Sequence, residues 1–463
     1  MNAKVSIVIT AHNYAKYLPQ ALDSALRQNF LDFEVVVVND GSTDHTAEVL
    51  SHYAGNDKVK IINTPGLGLA AASNLGIRSS HGDYIVRLDA DDYFDENLLL
   101  VEATYLDNHP NIGLVFCDYY TVDAHGDIID RVRRAKVSDE VELLDRPALA
   151  AGAMYRRRCY ETVGGYNETL RYQEDYDFWL KFIEKFQVRN VSLPLMFYRQ
   201  HGGSMSRNWT ARMATRRQVK AKFAREHRAE QSLKILAVIP ARGDVMEGTK
   251  LPMLALGGKT LLAQAIEKLQ GVDLIDRVIV STDDEAVADA ALSSGAEVPY
   301  LRPPAFRSPS VTFETVLLDL LRTLHKNEEY KPDVVVILHL NAPFVQREQI
   351  TEAIDTMLLF NSDSVVAVIE DLSYHWQAGR HGLTPVGYQK RVVRLEKDVV
   401  FKEAGGLYAF KTENLLVGND FLGKRISHIE MAPWEAIRIA TPYDYWIAQQ
   451  LVAQENRWIK ASS

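Results

Sequence analysis

The stretch VSIVITAHNYAKYLPQALDSALRQNFLDFEVVVVND (5–40) decides the fold. VSIVIT (5–10) is a short, continuous apolar run, the pattern of a strand buried on both faces. YLPQALDSALRQ (17–28) follows with apolar residues at helical spacing, and FEVVVVND (33–40) is a second buried strand. TAEVLSHYA (46–54) supplies the next helix. KVKIINT, LAAASNLGIRSS and DYIVRLDA extend the alternation as far as residue 90. Strand–helix–strand repetition of this kind predicts a largely parallel sheet with helices on both faces.

The pattern restarts at KILAVIP (234–240). KTLLAQAIEKLQ (259–270), DRVIVST (276–282), DEAVADAALSSG (284–295), DVVVILHL (333–340), REQITEAIDTMLLF (347–360) and SDSVVAVIE (362–370) carry it on. The expected fold class is thus α/β, with two tandem Rossmann-like domains at 1–206 and 234–463. Residues 207–233 between them form a basic, helix-compatible connector. RNWTARMATRRQVKAKFAREHRAEQSLK (207–234) holds nine Lys/Arg against two Glu. It reads either as a solvated connecting helix or as a cationic face for anionic lipid or a lipid-linked acceptor.

Length and composition bound the rest. A chain of 463 residues exceeds one typical core. A net charge of -9 argues against a general nucleic-acid binder. Two cysteines, Cys117 and Cys159, without a Cys/His ligand cluster fit a reducing compartment and no zinc ribbon. No signal peptide and no apolar run near 18 residues is found, so the expectation is a cytoplasmic protein without a transmembrane segment, at most peripheral on the inner face of the membrane.

DYIVRLDADD (83–92) ends an apolar run in Asp89, Asp91 and Asp92. In open α/β sheets ligands gather at the carboxyl ends of strands. Residues two apart on an extended segment share a side, so Asp89 and Asp91 can face one point, with Asp92 at the turn. Hard oxygen ligands so spaced suit Mg²⁺ or Mn²⁺ shared with substrate phosphates. The plainer alternative is a cap, by Asp92 or Asp95, on the helix that follows. VVNDGSTDHT (37–46) puts Asp40 at a strand end, where it could accept from a base N–H or a ribose hydroxyl. Asn13 ends the first strand, and Asn74 and Arg78 lie one helical turn apart near the next.

TAHNYAKYLPQALDSAL, VVNDGSTDHTAEVL, ASNLGIRSSHGDYIVRLDADD, YQEDYDFWLK and YRQHGGSMS resemble, in order and spacing, the motifs of the family-2 glycosyltransferases of GT-A fold, over roughly residues 4–206. The resemblance implies a metal-dependent, inverting, hexosyltransferase-type enzyme. It would take sugar from a nucleoside-diphosphate donor, with UDP- or GDP-sugar favoured, and pass it to a glycan or lipid-linked acceptor in surface polysaccharide synthesis. It implies nucleotide contacts from Ala11, Asn13 and Asp40, with Arg78 counted beside them, and places Asp89 by the ribose. Asp91, with Asp92, would hold Mn²⁺ or Mg²⁺, and His201 would lie near metal and diphosphate. Asp175 would be the general base. Such a displacement needs a base for the acceptor proton and a Lewis acid for the leaving diphosphate. Asp175 as a helix cap and His201 as a surface histidine are the plain alternatives.

DRVIVSTDDEAVADAALSSGAEVPYLRPPAF (276–306), with IPARG, LGGKTLL, GGLYAFKTENLL and IATPYDYWIAQ, resembles the cytidylyltransferases that make CMP-sialic acid and related CMP-sugars, over roughly 234–455. Cytidylyl transfer needs a phosphate-cradling loop with cations, and carboxylates for Mg²⁺. Here PARGDVMEGTKLPML keeps Arg242 and Lys250 but adds Asp244 and Glu247. EAIRIATPYD places Arg438 and Ala440 where the family carries its metal-binding acids, and HLNAP (339–343) replaces its Gln-Pro-Thr-Ser-Pro phrase. Asp283 remains a metal candidate beside Asp284, or both belong to the cap of the following helix. The expectation is a cytidylyltransferase-like unit without activity. The alternatives are a second activity making a CMP-activated acidic sugar, and a nucleotide-binding scaffold of a glycan-assembly complex. The resemblance also implies a homodimer through the second half, with 374–406 as the arm.

Overall fold

The computed structural model describes residues 3–133, 152–201, 208–228, 232–246, 248–307, 311–371, 373–380, 382–386, 400–418 and 420–454. The chain forms two compact units, the first running to Arg216 and the second beginning at Arg217.

In the first unit, β1 (Val5–Ala11), β2 (Phe33–Asp40), β3 (Val59–Thr64) and β4 (Tyr84–Asp89) lie parallel in the order β3-β2-β1-β4. α1 (Leu18–Leu26), α2 (Thr46–Ser51) and α3 (Leu69–Arg78) connect them. The unbroken apolar run of β1 follows from coverage on both faces. Ile7 and Ile9 share a core with Leu18 and Leu22 of α1, while Val8 faces α3 so closely that a Cβ at Gly76 would lie 2.5 Å from its Cγ1. Glycine there lets helix and strand touch.

Beyond β4 the sheet turns mixed. β5 (Tyr93–Phe94) and α4 (Leu98–Asn108) precede β6 (Ile112–Val122) and β7 (Ile128–Val132). β8 (Met154–Arg156), α5 (Arg157–Val163), α6 (Glu174–Lys185) and β9 (Gln187–Arg199) complete the unit. β8 pairs antiparallel with both β4 and β6, β9 lies parallel to β6, and β5 closes the edge against β9. The sheet is therefore uniformly parallel only in its first half.

α7 (Trp209–Arg228) is the basic stretch, and the division between units falls within it. Its second half is not a solvated connector. Val219, Phe223 and Ala224 are buried. Lys220 Nζ lies 3.1 Å from Glu352 Oε1, Arg217 Nε 2.7 Å from Glu352 Oε2, and Arg228 2.9 Å from Asp355. Those cations meet acids of their own unit, so they form no free basic face.

The second unit holds a six-stranded sheet in the spatial order 277–281, 235–240, 334–338, 400–411, 364–371, 426–430. The first three strands are parallel, and Val400–Lys411 runs against both its neighbours. Helices Leu261–Gln270 and Phe313–Glu328 contribute to cores on opposite faces. Of the expected arm, Trp376–Gly379 and Gly382–Pro385 form an exposed hairpin, while 387–399 lie outside the described residues, as does Glu247. No helix among the described residues is long and apolar enough to cross a membrane.

Candidate active site

β1 sits where the chain order reverses, with β2 on one side and β4 on the other, and this switch point is where open α/β sheets place ligands. A cavity of about 590 Å³ opens there. Its walls come from the end of β1 (Thr10, Ala11, His12), from Tyr14 and Asp40, from the start of α3 and the loop before it, and from 168–172. A cavity of this size suits a small organic ligand.

Asp40 shapes the cavity wall. Its Oδ1 accepts from Thr64 Oγ1 and Leu67 N–H, both at 2.6 Å, and its Oδ2 from Gly68 N–H at 2.8 Å. Burial pushes the carboxyl up, but the bonds from Leu67, Thr64 and Gly68 outweigh that and hold it below the usual range. Gly41, at φ +70°, packs so tightly on this loop that a Cβ would lie 2.8 Å from Gly66 N. Asn13, at φ +62°, is similarly engaged: its Oδ1 accepts from the N–H groups of Thr43 and Asp44, at 2.7 and 3.2 Å. Ala11 and Asp40 thus line the cavity, while Asn13 fixes the turn beside it. Arg78 stands off, mostly exposed, with Nη1 3.4 Å from Glu168 Oε1. Glu168, which also accepts from Asn74 at 2.8 Å, does line the cavity.

The acidic cluster adjoins this space. Thr10 lines the cavity and is the register partner of Asp89, the last residue of β4. Asp91 Oδ2 lies 2.8 Å from His201 Nε2, across 110 residues of sequence. Tyr14 links the two regions, lining the cavity and meeting the His201 ring edge-on at 5.9 Å. Burial and then the charge of Asp89 push the Asp91 carboxyl up.

Asp92 faces elsewhere. It is 1% exposed, its Oδ1 accepts from Arg199 N–H at 2.8 Å, and burial followed by the charge of Asp91 holds it well above the carboxylate range. It ties the turn to β9. Neither Asp92 nor Asp95 caps α4, whose N-cap is Asn97.

Asp175 sits in the first turn of α6, after Gln173 at φ +59°. Its Oδ1 accepts from Tyr176 N–H at 2.8 Å, and burial raises its carboxyl. The N-cap position belongs to Gln173, so capping does not explain the acid.

Among the described residues no group of three or more His, Cys, Asp and Glu is ready to enclose a metal. Asp91 and His201 supply two facing donors, one hard oxygen and one imidazole nitrogen. This suits Mn²⁺ or Mg²⁺ if phosphate oxygens and water complete the shell, as they commonly do for Mg²⁺.

Residues 6–212 match glycosyl transferase family 2. The first unit thus resembles the family-2 glycosyltransferases of GT-A fold, and residues 236–415 match the cytidylyltransferase family. Chondroitin synthase of Escherichia coli is 30% identical over 189 residues, covering 41% of this chain and 28% of that one. Chondroitin synthase of Pasteurella multocida (strain Pm70) is 33% identical over 189 residues, covering 41% of this chain and 20% of its own length. The chain spans well under a third of the length of these relatives. For the second unit, a solved CMP:2-keto-3-deoxy-manno-octonic acid synthetase complexed with CTP covers 48% of this chain and 99% of its own, at 19% identity and a TM-score of 0.36, a loose likeness.

In the cytidylyltransferase-like unit the candidate charges pair with one another. Lys250 Nζ lies 2.8 and 2.5 Å from the two oxygens of Asp284, which also caps helix Glu285–Ser293 by accepting from Val287 N–H at 3.1 Å. Asp283 Oδ1 lies 3.2 Å from Arg302 Nη2, which also donates to Ala241 O at 2.7 Å. Arg242 and Asp244 are exposed. Asp444 forms a capping box with Thr441. His339 is held near pKa 4 by burial and then by Arg438, so it is neutral at pH 7.

Sequence reasoning missed Tyr14 and the 168–172 wall, and also Arg87 and Glu174, described below. Only the closeness of Glu174 to Asp175 hinted at the last.

Proposed function

We propose that the family-2 unit is an inverting glycosyltransferase that moves a hexose from a UDP- or GDP-sugar to a glycan or lipid-linked acceptor during polysaccharide synthesis. The observation that carries this reading is the adjacency of the cavity to the Asp91–His201 pair, bridged by Tyr14. The nucleoside would occupy the cavity, between the loop organised by Asp40 and the wall that includes Glu168. Its diphosphate would extend toward Asp91 and His201, which would hold Mn²⁺ or Mg²⁺. That ion would supply Lewis-acid stabilisation of the leaving diphosphate. Asp175 would take the proton of the acceptor hydroxyl as its oxygen bonds to the anomeric carbon and the bond to the diphosphate breaks. Burial, by raising the Asp175 carboxyl, makes it a stronger base once ionised.

The names of the chondroitin synthases support polymeric sugar as the product class. For the second unit we propose a retained cytidylyltransferase fold without cytidylyl transfer, supported by the engagement of Lys250 with Asp284.

The test is release of UDP or GDP from candidate donor sugars in the presence of Mn²⁺. Chelation and Asp91→Ala are each expected to abolish turnover. Turnover that survives both would refute the reading.

A further inference from the structure

The reading above leaves one buried cation of the first unit, Arg87, without a role. Arg87, on β4, is 8% exposed. Its Nε lies 3.3 Å from Asp89 Oδ1 and its Nη1 3.1 Å from Glu174 Oε1, and its guanidinium stacks over the Tyr166 ring at 5.3 Å. Glu174 is 5% exposed and opens α6, one residue before Asp175. The entry to α6 passes through Gln173 in the left-handed region, which a non-glycine residue avoids unless its surroundings impose it. The Arg87–Glu174 pair is a contact able to impose it, because it joins the first residue of the helix to the strand carrying the acidic cluster.

Resting on the reading of Asp175 as general base, we infer that Arg87 is a positioning residue: through Glu174 it seats the start of α6, and with it Asp175, against β4.

The electrostatics agree with the geometry. Burial and then the charge of Asp175 push Glu174 up to about 7, with Arg87 opposing. On Asp175, burial is again the leading influence upward, opposed by Arg87, by the Tyr176 N–H and by Arg212 of α7, while Asp89 adds to the rise. Tyr166 and Tyr155 are further titratable groups facing Arg87. Removing Arg87 would leave Glu174 and Asp175 side by side with less positive charge opposing them. Buried like charges resist ionising together, so a proton would be retained to higher pH.

Three variants of the full chain test this: Arg87→Met, Arg87→Lys and Glu174→Gln. The acid limb of the kcat profile for nucleotide release should move up by about one pH unit in Arg87→Met, a roughly tenfold loss on that limb. Arg87→Lys should fall between that variant and wild type, and Glu174→Gln, which removes a buried acid, should move the limb down. A second readout needs no activity. Acids whose folded pKa is raised bind protons more tightly in the folded state, so stability falls as pH rises through that pKa. Arg87→Met should therefore lose more melting temperature than wild type between pH 5 and 8, and Glu174→Gln less. If Arg87→Met does not fold, the other two variants decide. Unchanged slopes, or shifts of the same sign in both, would overturn the inference. Slopes that behave as expected in a protein inactive with every donor would instead keep the pairing and refute Asp175 as base.

Discussion

At the end of β4, Asp91 meets His201, and Thr10 beside Asp89 faces a cavity of about 590 Å³. At the matching end of strand 277–281, Asp283 meets Arg302 and Asp284 meets Lys250. Both units thus bring acids to the carboxyl edge of a parallel sheet. In the first, acidic charge accumulates faster than cations arrive, and burial holds Asp91 and Asp175 above their ordinary range. In the second, Lys250 and other bonds hold Asp284 below it. An excess of buried acid is what a dication and a base require, whereas a matched pair is already satisfied. The same topology can therefore present a site poised for a ligand or one closed by internal pairing.

The strongest way to break this comparison is at Asp175. Asp175→Asn keeps the shape and removes the proposed base, so kcat is expected to fall by about 10³-fold, with donor affinity preserved. Nucleotide-release kinetics with a saturating acceptor would measure it. A loss confined to KM would mean that Asp175 binds substrate, and the contrast between the units would then no longer concern catalysis.

Next in size is the buried pairing of the second unit. Lys220 is 1% exposed, with Nζ 3.1 Å from Glu352 Oε1 and 3.2 Å from Thr356 Oγ1. Lys220→Met leaves buried Glu352 with less compensation and should cost about 3 kcal/mol, read from denaturant unfolding of the full chain. A negligible change would show that Arg217 alone suffices, and that charge pairing holds this unit together less firmly than the distances imply.

The elements of both units were legible because buried strands and amphipathic helices have different periods. KILAVIP becomes strand Ile235–Pro240, and REQITEAIDTMLLF becomes helix Arg347–Leu359. The antiparallel insertion of β8 between β4 and β6 was not legible, because sequence order does not reveal spatial order. DADD drew notice through its like charges alone. Arg87 did not, because within an apolar run it reads as a strand residue, and its partner Glu174 is 87 residues away. Asp40 was legible as a strand-end acid, but its bonds go to a loop beginning 24 residues on. The basic stretch was legible as a helix and not as a docked one, since Glu352 lies 132 residues from Lys220.

The smallest expected effect probes the second unit most directly. Asparagine is as good an N-cap as aspartate, so Asp284→Asn should preserve helix Glu285–Ser293 while releasing Lys250 from its counter-charge. The ammonium would then be free to donate to a phosphate, beside exposed Arg242. A charge-assisted bond contributes about 1.5 kcal/mol or more, or about tenfold in affinity. Tripolyphosphate and CTP with Mg²⁺ are expected to raise the melting temperature of the variant and to leave the unfolding of the second unit unmoved in wild type. Equal shifts in both proteins would show that the Lys250–Asp284 pair opens readily to anions. The second unit would then also be a nucleotide site, and the difference between the two sheet edges would lie in which ligand completes each one rather than in whether a ligand is needed.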